Sequence, residues 1–314
     1  MNERPEYTIV IPVYYNADTL RLVFEDIKQN VFDVCPQYAG EVLFVDDGSG
    51  DNSFDVLKQL KAEYGALIRV IKLSRNFGQG QAIICGMAHT TRATVVMSAD
   101  GQEPVATISQ MLKAHFEEGN EVVIAKREAR DETLWRRATS HIVYWLLRHL
   151  GNPEMPTGGF DFYLLGPRAR DEFVRHWQPN TFSQVRILNL GFKRAWLGYH
   201  RRDRKAGKSR WTFSKKLTAT LNGVLGHSYI PIRAISVFGL LCACGSFLLT
   251  VFFLTNYFLS PEPPTFPGWT PIVLLILFLG GIQMTMIGIL GEYLWRVLAQ
   301  VRQDPPYIVD EKLY

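Results

Sequence analysis

One stretch of the chain decides the fold: Val95-Val96-Met97-Ser98-Ala99-Asp100-Gly101-Gln102-Glu103-Pro104. Its first half is an apolar run rich in β-branched residues and too short to cross a membrane, which predicts a buried strand of a parallel sheet. Its second half brings a carboxylate, a glycine and an amide. Because open α/β sheets bind ligands beyond the carboxyl ends of their strands, the stretch predicts a binding site. The alternative is an ordinary polar turn between a strand and a helix.

Two side chains of this stretch have the chemistry of metal ligands. Asp100 offers a carboxylate and Gln102 a carbonyl, and hard oxygen ligands of this kind suit Mg2+ or Mn2+. Such an ion often carries a phosphate-bearing substrate. The stretch therefore predicts a divalent metal site at Asp100 and Gln102.

The composition excludes several classes of protein. With 314 residues the chain has room for one large domain or two smaller ones. Its four cysteines follow no spaced framework and form no CxxC pair, so neither a disulfide scaffold nor a zinc site is predicted. The formal net charge of +4 is mild. The amino terminus has no signal-peptide pattern, and we therefore expect the first domain to stay in the cytoplasm.

Residues 1 to about 125 alternate short apolar runs with amphipathic stretches, an order that predicts a mostly parallel sheet covered on both faces. Polar side chains stand at the ends of its first four predicted strands, in chain order Tyr14, Asp46 and Asp47, Arg75 and Gln79, and Asp100. These ends share one edge of a parallel sheet, so the side chains should converge there. The carboxylates of Asp46 and Asp47 can accept hydrogen bonds from a nucleobase or ribose. The Arg75 guanidinium can lie near a base or a diphosphate.

The motifs of other phosphate-binding and hydrolytic sites are absent from the sequence. There is no GxxxxGK[ST] loop, no GxGxxG after the first strand and no nucleophile elbow with a Ser, His and Asp set. The basic loop Arg201–Trp211 adjoins an apolar segment and has no recognition fold around it. Nucleic acid is therefore not expected as a partner.

The last third of the chain predicts attachment to a membrane. Residues 213–231 are amphipathic with period 3.6 and predict a helix at the membrane interface, the alternative being a surface helix packed on the core. Residues 235–258 and 270–291 carry no charge, and each run is long enough to cross a hydrocarbon core of about 30 Å. The alternative is a buried helical hairpin in a soluble protein.

Charge asymmetry orients this predicted hairpin. The linker 260–268 has no Lys or Arg, whereas Arg233 precedes the first run and Arg296 follows the second. The positive-inside rule then puts both termini in the cytoplasm. We therefore predict a multi-pass protein of the inner membrane with a catalytic domain at 1–212, an interfacial helix at 213–231, two membrane helices within 232–296 and a cytoplasmic tail at 297–314. Glycines in the membrane helices allow close packing, which permits a homo-oligomer.

Four segments carry a family pattern: Pro12-Val13-Tyr14, Val45-Asp46-Asp47-Gly48-Ser49, Ser74-Arg75-Asn76-Phe77-Gly78 and Ser98-Ala99-Asp100-Gly101-Gln102. Together they resemble the inverting GT-A glycosyltransferases of family two. The resemblance is closest to the polyprenyl-phosphate glycosyltransferases, which include dolichol-phosphate mannose synthase and the bactoprenol glucosyl- and aminoarabinosyl-transferases. It continues through Gly159–Tyr163, Arg201–Trp211 and Gly291–Tyr293 and covers nearly the whole chain. It implies a Rossmann-like α/β catalytic domain of the GT-A type that carries two membrane helices.

The resemblance also implies roles for individual residues. The residues that would bind the nucleotide sugar are Pro12, Tyr14, Asp46, Asp47, Arg75 and Gln79. Asp100 and Gln102 would hold the metal on the diphosphate, and Asp161 would lie at the reacting centre. The candidates for binding the acceptor or donor phosphate are Arg127, Arg136, Ser140, Arg201, Arg204 and Ser209.

Several positions depart from the family pattern. Tyr15-Asn16 stands where Asn-Glu is usual, and Ser98 stands where many members have an aspartate. Arg210 replaces a lysine and Tyr163 an arginine. With one carboxylate missing, we expect Asp100 to be the sole metal carboxylate, in a weak site that fills only when the donor diphosphate supplies the remaining oxygens.

The predicted reaction moves a hexose from a nucleotide sugar, UDP-linked and for example UDP-glucose, to undecaprenyl or another polyprenyl phosphate. The product would be a lipid-linked sugar donor for modification of cell-envelope glycans. A lipid phosphate is already anionic at pH 7, so Asp161 is expected to orient the acceptor or stabilise the oxocarbenium-like sugar. The alternatives are an enzyme similar to dolichol-phosphate mannose synthase that uses GDP-mannose, and a non-catalytic membrane protein on a GT-A scaffold. Processive polysaccharide synthesis is disfavoured because the sequence has no Gln-x-x-Arg-Trp motif.

Overall fold

The computed structural model describes residues 4–127, 148, 152–156, 159–177, 182–200, 238, 248, 251, 255, 269–302 and 305–314. The chain forms two compact units. The first unit consists of Met1–Val224 and Pro305–Tyr314, and the second of Leu225–Asp304.

The first unit alternates strands and helices along the chain, as the sequence pattern predicts. Its strands are β1 (Glu6–Val13), β2 (Ala39–Asp46), β3 (Ile68–Leu73), β4 (Ala93–Val96), β5 (Val122–Arg127), β6 (Tyr163–Leu165), β7 (Arg194–Tyr199) and β8 (Val309–Leu313). Its helices are α1 (Ala17–Ile27), α2 (Ser53–Tyr64), α3 (Gln79–Ala88), α4 (Ala106–Phe116), α5 (Pro167–Arg175) and α6 (Ser183–Asn189). A π-helical turn at Lys28–Phe32 extends α1.

The strands form one mixed sheet in the order β7-β5-β6-β4-β1-β2-β3-β8. The strands β4, β1, β2 and β3 are parallel neighbours, and β5 is parallel to β7. In contrast, β6 is antiparallel to β4 and β5, and β8 is antiparallel to β3. The prediction of a mostly parallel sheet is confirmed. β2 pairs with one side of β1 and β4 with the other, so the direction of strand addition reverses at β1. The carboxyl ends of β1 and β4 therefore form the switch point where such sheets bind ligands.

The strand β1 lies within the sheet and is apolar on both faces. Ile9 and Ile11 belong to the core cluster on one face and Val10 to the cluster on the other, and all three side chains are fully buried. The helix α3 packs very close to this strand, since a Cβ on Gly86 would lie 2.3 Å from Val10 Cγ1. Burial on both faces explains why this part of the sequence shows continuous apolar runs rather than strict alternation.

The last residues of the chain belong to the sheet. Leu313 of β8 pairs with Val70 of β3, and the guanidinium of Arg69 lies 4.6 Å from the centre of the Tyr314 ring. The prediction of a cytoplasmic tail at 297–314 does not include this strand. The reason is local: Val309–Leu313 is short and three of its five residues are charged. Its role is to cover the edge of β3, which is otherwise open to pairing with another chain.

The second unit contains the helix α7, which spans Trp269–Arg302 and includes the second predicted membrane segment, 270–291. In the parts of the chain that the structure describes, no helix combines the length and the apolar character needed to cross a membrane. The interfacial helix predicted at 213–231 lies outside the described residues, as does nearly all of the first predicted membrane segment, 235–258. The hairpin therefore stays a prediction.

Candidate active site

Three loops are tied together at the carboxyl edge of the sheet. The Tyr15 N–H donates to Ser49 Oγ at 3.0 Å, which joins the loop after β1 to the loop after β2. On the other side of β1, the Thr19 hydroxyl donates to the Ala99 carbonyl at 2.7 Å. The loops after β1, β2 and β4 therefore converge around the switch point, as the strand order requires.

Tyr15 has a left-handed backbone, with φ at 57°. Residues with a Cβ pay roughly 1–2 kcal/mol for this conformation, and asparagine is among the few that tolerate it. The Tyr15 ring contacts Tyr14 edge to face with 4.7 Å between centroids, and a Cβ on Gly50 would lie 2.6 Å from its hydroxyl. At the position where the family pattern has asparagine, the Tyr15 ring therefore lies against Tyr14 and beside Gly50.

Asp46 is a buried acceptor at the end of β2. Its side chain is fully buried, and Oδ1 accepts the Ser49 N–H at 3.3 Å. Its other oxygen, Oδ2, has no hydrogen-bond partner among the described residues. Burial raises the pKa of this carboxyl more than the hydrogen bonds from Ser49 lower it. A buried oxygen without a donor is costly, so Oδ2 is placed to accept from a ligand such as a nucleobase N–H or a ribose hydroxyl.

Asp47 holds two loops together. Its Oδ1 accepts the Phe77 N–H at 2.7 Å, and its Oδ2 accepts the Gly78 N–H at 2.9 Å. The next residue, Gly48, has φ at +64°, and a Cβ there would lie 2.5 Å from the backbone carbonyl carbon of Arg75. Asp47 therefore fixes the loop between β3 and α3 against the loop after β2. The nucleoside contact that the sequence predicts for Asp47 would be additional to this role.

Replacing Asp47 with asparagine is expected to lower the stability of the protein, whereas replacing Asp46 with asparagine is expected to weaken ligand binding. Asp47→Asn turns an NH2 group toward one of two N–H donors, so the free energy of unfolding should fall by about 1–3 kcal/mol. Asp46→Asn removes a buried charge and keeps the Oδ1 acceptor, so stability should hold or rise. Its dissociation constant for UDP should rise about tenfold or more, because a charged acceptor is lost. Urea unfolding and calorimetric titration with UDP measure the two effects.

The control for this pair is the pH dependence of binding. Because burial raises the pKa of Asp46, its carboxylate gains a proton at a higher pH than an exposed aspartate does. Wild-type affinity for UDP should therefore fall as the pH drops through that raised pKa, and the fall should be smaller in the Asp46→Asn protein, where Asp47, whose pKa is also raised by burial, still gains its proton. Equal losses of stability in both variants would contradict the separate roles of Asp46 and Asp47.

The other predicted donor-site residues lie at the same edge. Pro12 is the penultimate residue of β1, and Tyr14, which is 36% exposed, follows the strand. Arg75 is exposed in the loop after β3, and its guanidinium lies 4.1 Å from the centre of the Phe77 ring. Gln79 is the first residue of α3. The structure thus brings these side chains to the expected edge, and their contacts with a ligand stay predictions.

The loop after β4 gathers oxygen atoms around Asp100. Asp100 Oδ1 accepts the Ser98 hydroxyl at 2.6 Å and the Gln102 N–H at 3.1 Å. Ser98 Oγ also lies 2.5 Å from Glu103 Oε2. Gly101, with φ at +69°, supplies the left-handed turn between Asp100 and Gln102. Asp100 and Gln102 are predicted site residues, whereas Glu103 is not among them.

The chemistry of this loop fits a hard divalent cation. Carboxylate, amide and hydroxyl oxygens are the ligands that Mg2+ and Mn2+ prefer. Within the described ranges, no three His, Cys, Asp or Glu side chains are grouped as a metal site. The Asp100 carboxylate and the Ser98 hydroxyl offer oxygens of this kind, and a metal held by Asp100 and Gln102 stays a prediction.

Asp161 lies at the same edge and is held from two sides. It precedes β6, whose first residue, Tyr163, pairs with the last residue of β4. Gln184 Nε2 donates to its Oδ1 at 3.1 Å, and the Arg127 guanidinium donates to its Oδ2 at 3.2 Å. Arg127 Nε also donates to the Tyr199 hydroxyl at 3.1 Å. Sequence reasoning missed Gln184, which lies in a helix, and Tyr199, which is the last residue of β7 and so stands at a strand end outside the first four.

Arg127 is a permanent cation beside this carboxylate. Burial favours its neutral form, but the Tyr199 hydroxyl and Asp161 outweigh that effect, and its pKa lies above the ordinary value. The Arg127 guanidinium and the Asp161 carboxylate form an ion pair, with 3.2 Å between Nη2 and Oδ2. The arrangement therefore suits Asp161 to positioning and to electrostatic stabilisation of a positively charged sugar.

The remaining predicted phosphate-binding residues lie outside the described residues. They are Arg136, Ser140, Arg201, Arg204 and Ser209. Arg127 is the member of the predicted set that the structure describes, and it contacts Asp161.

A cavity of about 350 Å3 lies at the opposite, amino-terminal edge of the sheet. Arg69 and Arg92 line it, but both are paired with the buried Glu41, at 2.9 and 3.2 Å. The two guanidinium groups that line this cavity are thus ion-paired within the protein, and none of the predicted site residues lines it. The carboxyl edge of the sheet is the candidate active site.

Comparison with known proteins identifies the family. The model of glycosyl transferase family 2 matches residues 8–187. The chain is 31% identical to the uncharacterized glycosyltransferase YkcC of Bacillus subtilis, over 99% of this chain and 95% of that protein. It is 26% identical to the bactoprenol glucosyl transferase of Shigella phage SfX, over 97% of this chain and 99% of that protein.

A solved structure is similar to part of the chain. Glucosyl-3-phosphoglycerate synthase from Mycobacterium tuberculosis, in complex with Mn2+, UDP and phosphoglyceric acid, aligns with a TM-score of 0.48 at 15% identity, over 70% of this chain and 76% of that chain. The family match at 8–187 includes Asp46, Asp100 and Asp161, the acidic residues at the carboxyl edge. The chain therefore belongs to glycosyl transferase family 2 and is a glycosyltransferase that acts on a nucleotide sugar.

Proposed function

We propose that this glycosyltransferase moves a hexose from a UDP-linked sugar, such as UDP-glucose, to the phosphate of a polyprenyl lipid with inversion at the anomeric carbon. One observation carries the proposal: the buried acceptor Asp46, the oxygens around Asp100 and the ion-paired Asp161 occupy one edge of the sheet. The lipid acceptor is supported by relatives named bactoprenol glucosyl transferase, which match nearly the full length of the chain.

The donor end of the site binds the nucleotide and its diphosphate. Asp46 Oδ2 accepts a hydrogen bond from the nucleoside, and Arg75, exposed at the rim, contacts the base or the diphosphate. Asp100 and Gln102 would hold Mg2+ or Mn2+, which would supply Lewis-acid neutralisation of the departing diphosphate. Together these residues would orient the bond between the anomeric carbon and the diphosphate toward the acceptor end of the site.

The acceptor end needs no strong base. A phosphate monoester has a second pKa of about 6, so its oxygen is already anionic at neutral pH. That oxygen forms a bond to the anomeric carbon, and the bond from this carbon to the nucleoside diphosphate breaks with its electron pair on the diphosphate. One displacement of this kind gives a β-linked product from an α-linked donor. Asp161, held by Arg127 and Gln184, stabilises the positive charge that develops on the sugar.

The proposal places the reaction at the cytoplasmic face of the inner membrane. The uncharged runs 235–258 and 270–291 and the amphipathic 213–231 support this location from the sequence. Basic residues between Arg127 and Ser209 in the sequence then bind the acceptor phosphate, for which arginine is well suited. The product is a lipid-linked sugar for modifying cell-envelope glycans.

A donor screen tests the proposal. Full-length protein is incubated with Mn2+, polyprenyl phosphate and one radiolabelled donor at a time, UDP-glucose or GDP-mannose. Label from UDP-glucose in the organic extract, dependent on polyprenyl phosphate, is the expected result. Lipid-bound label from GDP-mannose alone would establish the mannosyl alternative, and label in a water-soluble polymer would overturn the lipid acceptor. Absence of transfer from any nucleotide sugar, with binding retained, would favour the non-catalytic alternative.

A further inference from the structure

The carboxyl-terminal strand β8 contacts the loop between β3 and α3 as well as the edge of β3. Leu73, the last residue of β3, pairs with Val309 of β8. One residue further on, the Ser74 N–H donates to the Ile308 carbonyl at 3.0 Å. The contact between the two chain segments therefore extends beyond β3, into the loop that carries the predicted donor-site residue Arg75.

Tyr307 anchors the start of β8 to the body of the domain. Its half-buried ring packs against the apolar cluster that includes Cys85 of α3, and its centroid lies 6.1 Å from that of the His89 ring. Phe77, in the loop after β3, and Val309 pack against the same cluster. The start of β8 and the loop between β3 and α3 thus rest on a shared core.

Arg75 lies between two attachment points of this loop. On one side of it, Ser74 is bonded to β8, and on the other, the Phe77 N–H donates to Asp47 Oδ1. The loop after β2 also approaches closely, since a Cβ on Gly48 would lie 2.5 Å from the carbonyl carbon of Arg75. The backbone of Arg75 is therefore fixed from β2 and from β8 together.

Such fixation matters because Arg75 is exposed and its side chain has many rotamers. Immobilising a side chain of this kind on binding costs the equivalent of about twofold to tenfold in affinity. A backbone that is held in place, with the guanidinium 4.1 Å from the centre of the Phe77 ring, lowers this cost before any ligand arrives. Asp47 holds only the far side of Arg75, so the near side depends on β8.

We infer that the carboxyl-terminal strand is a positioning element of the donor site, which holds the loop between β3 and α3 so that Arg75 is placed for the nucleotide before it binds. The inference rests on the proposed function, in which Arg75 contacts the base or the diphosphate. Ile308 acts through its carbonyl and Tyr307 through packing, and neither touches the ligand. β8 therefore contributes to affinity for the donor and leaves the chemical step unchanged.

The test is the dissociation constant for UDP, measured by calorimetric titration of full-length protein in the presence of Mn2+. Ser74→Pro removes the N–H that joins the loop to β8, and Leu73 before it has the extended backbone that proline requires of its predecessor. The dissociation constant should rise about threefold to tenfold, the cost of ordering the loop on binding. Ser74→Ala keeps the N–H and should match wild type. In steady-state assays Ser74→Pro should raise KM for the donor with kcat unchanged.

Variants within β8 separate positioning from stability. Tyr307→Ala loosens the same contact from the other side and should raise the dissociation constant for UDP by a similar factor, whereas Tyr307→Phe keeps the ring and should match wild type. Leu313→Ala loosens the opposite end of the strand, where Leu313 pairs with Val70. It should lower the melting temperature and leave the affinity for UDP unchanged.

Arg75→Met shows whether the effect passes through Arg75. Alone, this change should raise the dissociation constant for UDP about tenfold or more, because a charged hydrogen-bond donor is lost. Ser74→Pro added to Arg75→Met should weaken binding no further, because the side chain that the loop positions is gone. Two losses that multiply in the double variant would overturn the inference.

The outcomes also distinguish the inference from the proposed function. Wild-type protein that binds no UDP would remove the UDP-linked donor from the proposed function and the inference with it. Normal wild-type binding, with an unchanged dissociation constant in Ser74→Pro, would overturn the inference alone. A lowered melting temperature in Tyr307→Ala with normal affinity for UDP would make β8 a purely structural strand. If Tyr307→Ala does not fold, Ser74→Pro, which leaves every residue of β8 in place, decides the question.

Discussion

Replacing Asp100 with asparagine is expected to lower kcat/KM by about a thousandfold or more while the protein stays folded. Asp100 Oδ1 accepts hydrogen bonds from Ser98 and Gln102, and the oxygen of an asparagine can accept the same two. The loop after β4 should therefore keep its shape. What disappears is the negative charge that would hold the cation on the diphosphate. Initial rates over a range of Mn2+ concentrations measure the loss, and the melting temperature reports on the fold.

Asp51→Asn provides a matched control for this change. Asp51 Oδ1 accepts the N–H of Ser53, two residues ahead, at 3.1 Å, just as Asp100 Oδ1 accepts the N–H of Gln102. It is exposed and is not among the predicted site residues, although it lies in the loop after β2 and its charge is among those that raise the pKa of Asp46. Because Asp51 has no predicted contact with a ligand, Asp51→Asn should leave kcat/KM within about twofold of wild type. If Asp100→Asn kept activity within about tenfold of wild type, Asp100 would not be a metal ligand.

The sheet and the general position of the site could be predicted because both depend on local signals. Apolar runs rich in β-branched residues predict β1, β2 and β4, and an acidic or amide side chain follows each run within a few residues. A parallel sheet then brings those ends to one edge whatever the details of packing. Asp46 and Asp100 follow from this argument, and the structure places both at that edge.

The difference between Asp46 and Asp47 could not be predicted in the same way. The two residues are adjacent aspartates, and their roles depend on which hydrogen-bond donors each carboxylate contacts. Asp47 meets the N–H groups of Phe77 and Gly78, about 30 residues further along the chain, whereas Asp46 Oδ2 meets no donor among the described residues. Contacts between distant loops set these roles, and no local pattern around position 46 or 47 reports them.

Glu103 and Gln184 were missed for a related reason. Glu103 follows two predicted metal ligands and, by position alone, is indistinguishable from a helix-start acid. Gln184 lies in α6, a helix with no motif of its own, yet its amide reaches Asp161 from 23 residues away. Each residue contacts a side chain at the candidate site, Ser98 in the case of Glu103 and Asp161 in the case of Gln184. Sequence patterns find the groups that stand at strand ends, and the groups that orient them require the structure.

Asp161→Asn is expected to lower kcat about a hundredfold without changing the shape of the pH–rate profile. The carboxylate accepts hydrogen bonds from Arg127 and Gln184 on separate oxygens, and an asparagine has only one acceptor to offer. One donor therefore loses its partner, and the negative charge beside the developing positive charge of the sugar disappears. Steady-state rates with saturating donor and polyprenyl phosphate, measured from pH 6 to 9, give both the size of the loss and its pH dependence.

The pH profile decides between positioning and proton transfer. A general base imposes an acid limb on the rate, and removing the base removes that limb. Above pH 7 the acceptor phosphate has no proton to give, so the remaining activity of Asp161→Asn should follow the wild-type profile at a lower level. Asp33→Asn, which changes an aspartate of matched exposure, 56% against 55%, that is paired with Lys28, should retain full activity. A wild-type acid limb that vanishes in Asp161→Asn would make Asp161 the base and would point to an acceptor that carries a hydroxyl rather than a phosphate.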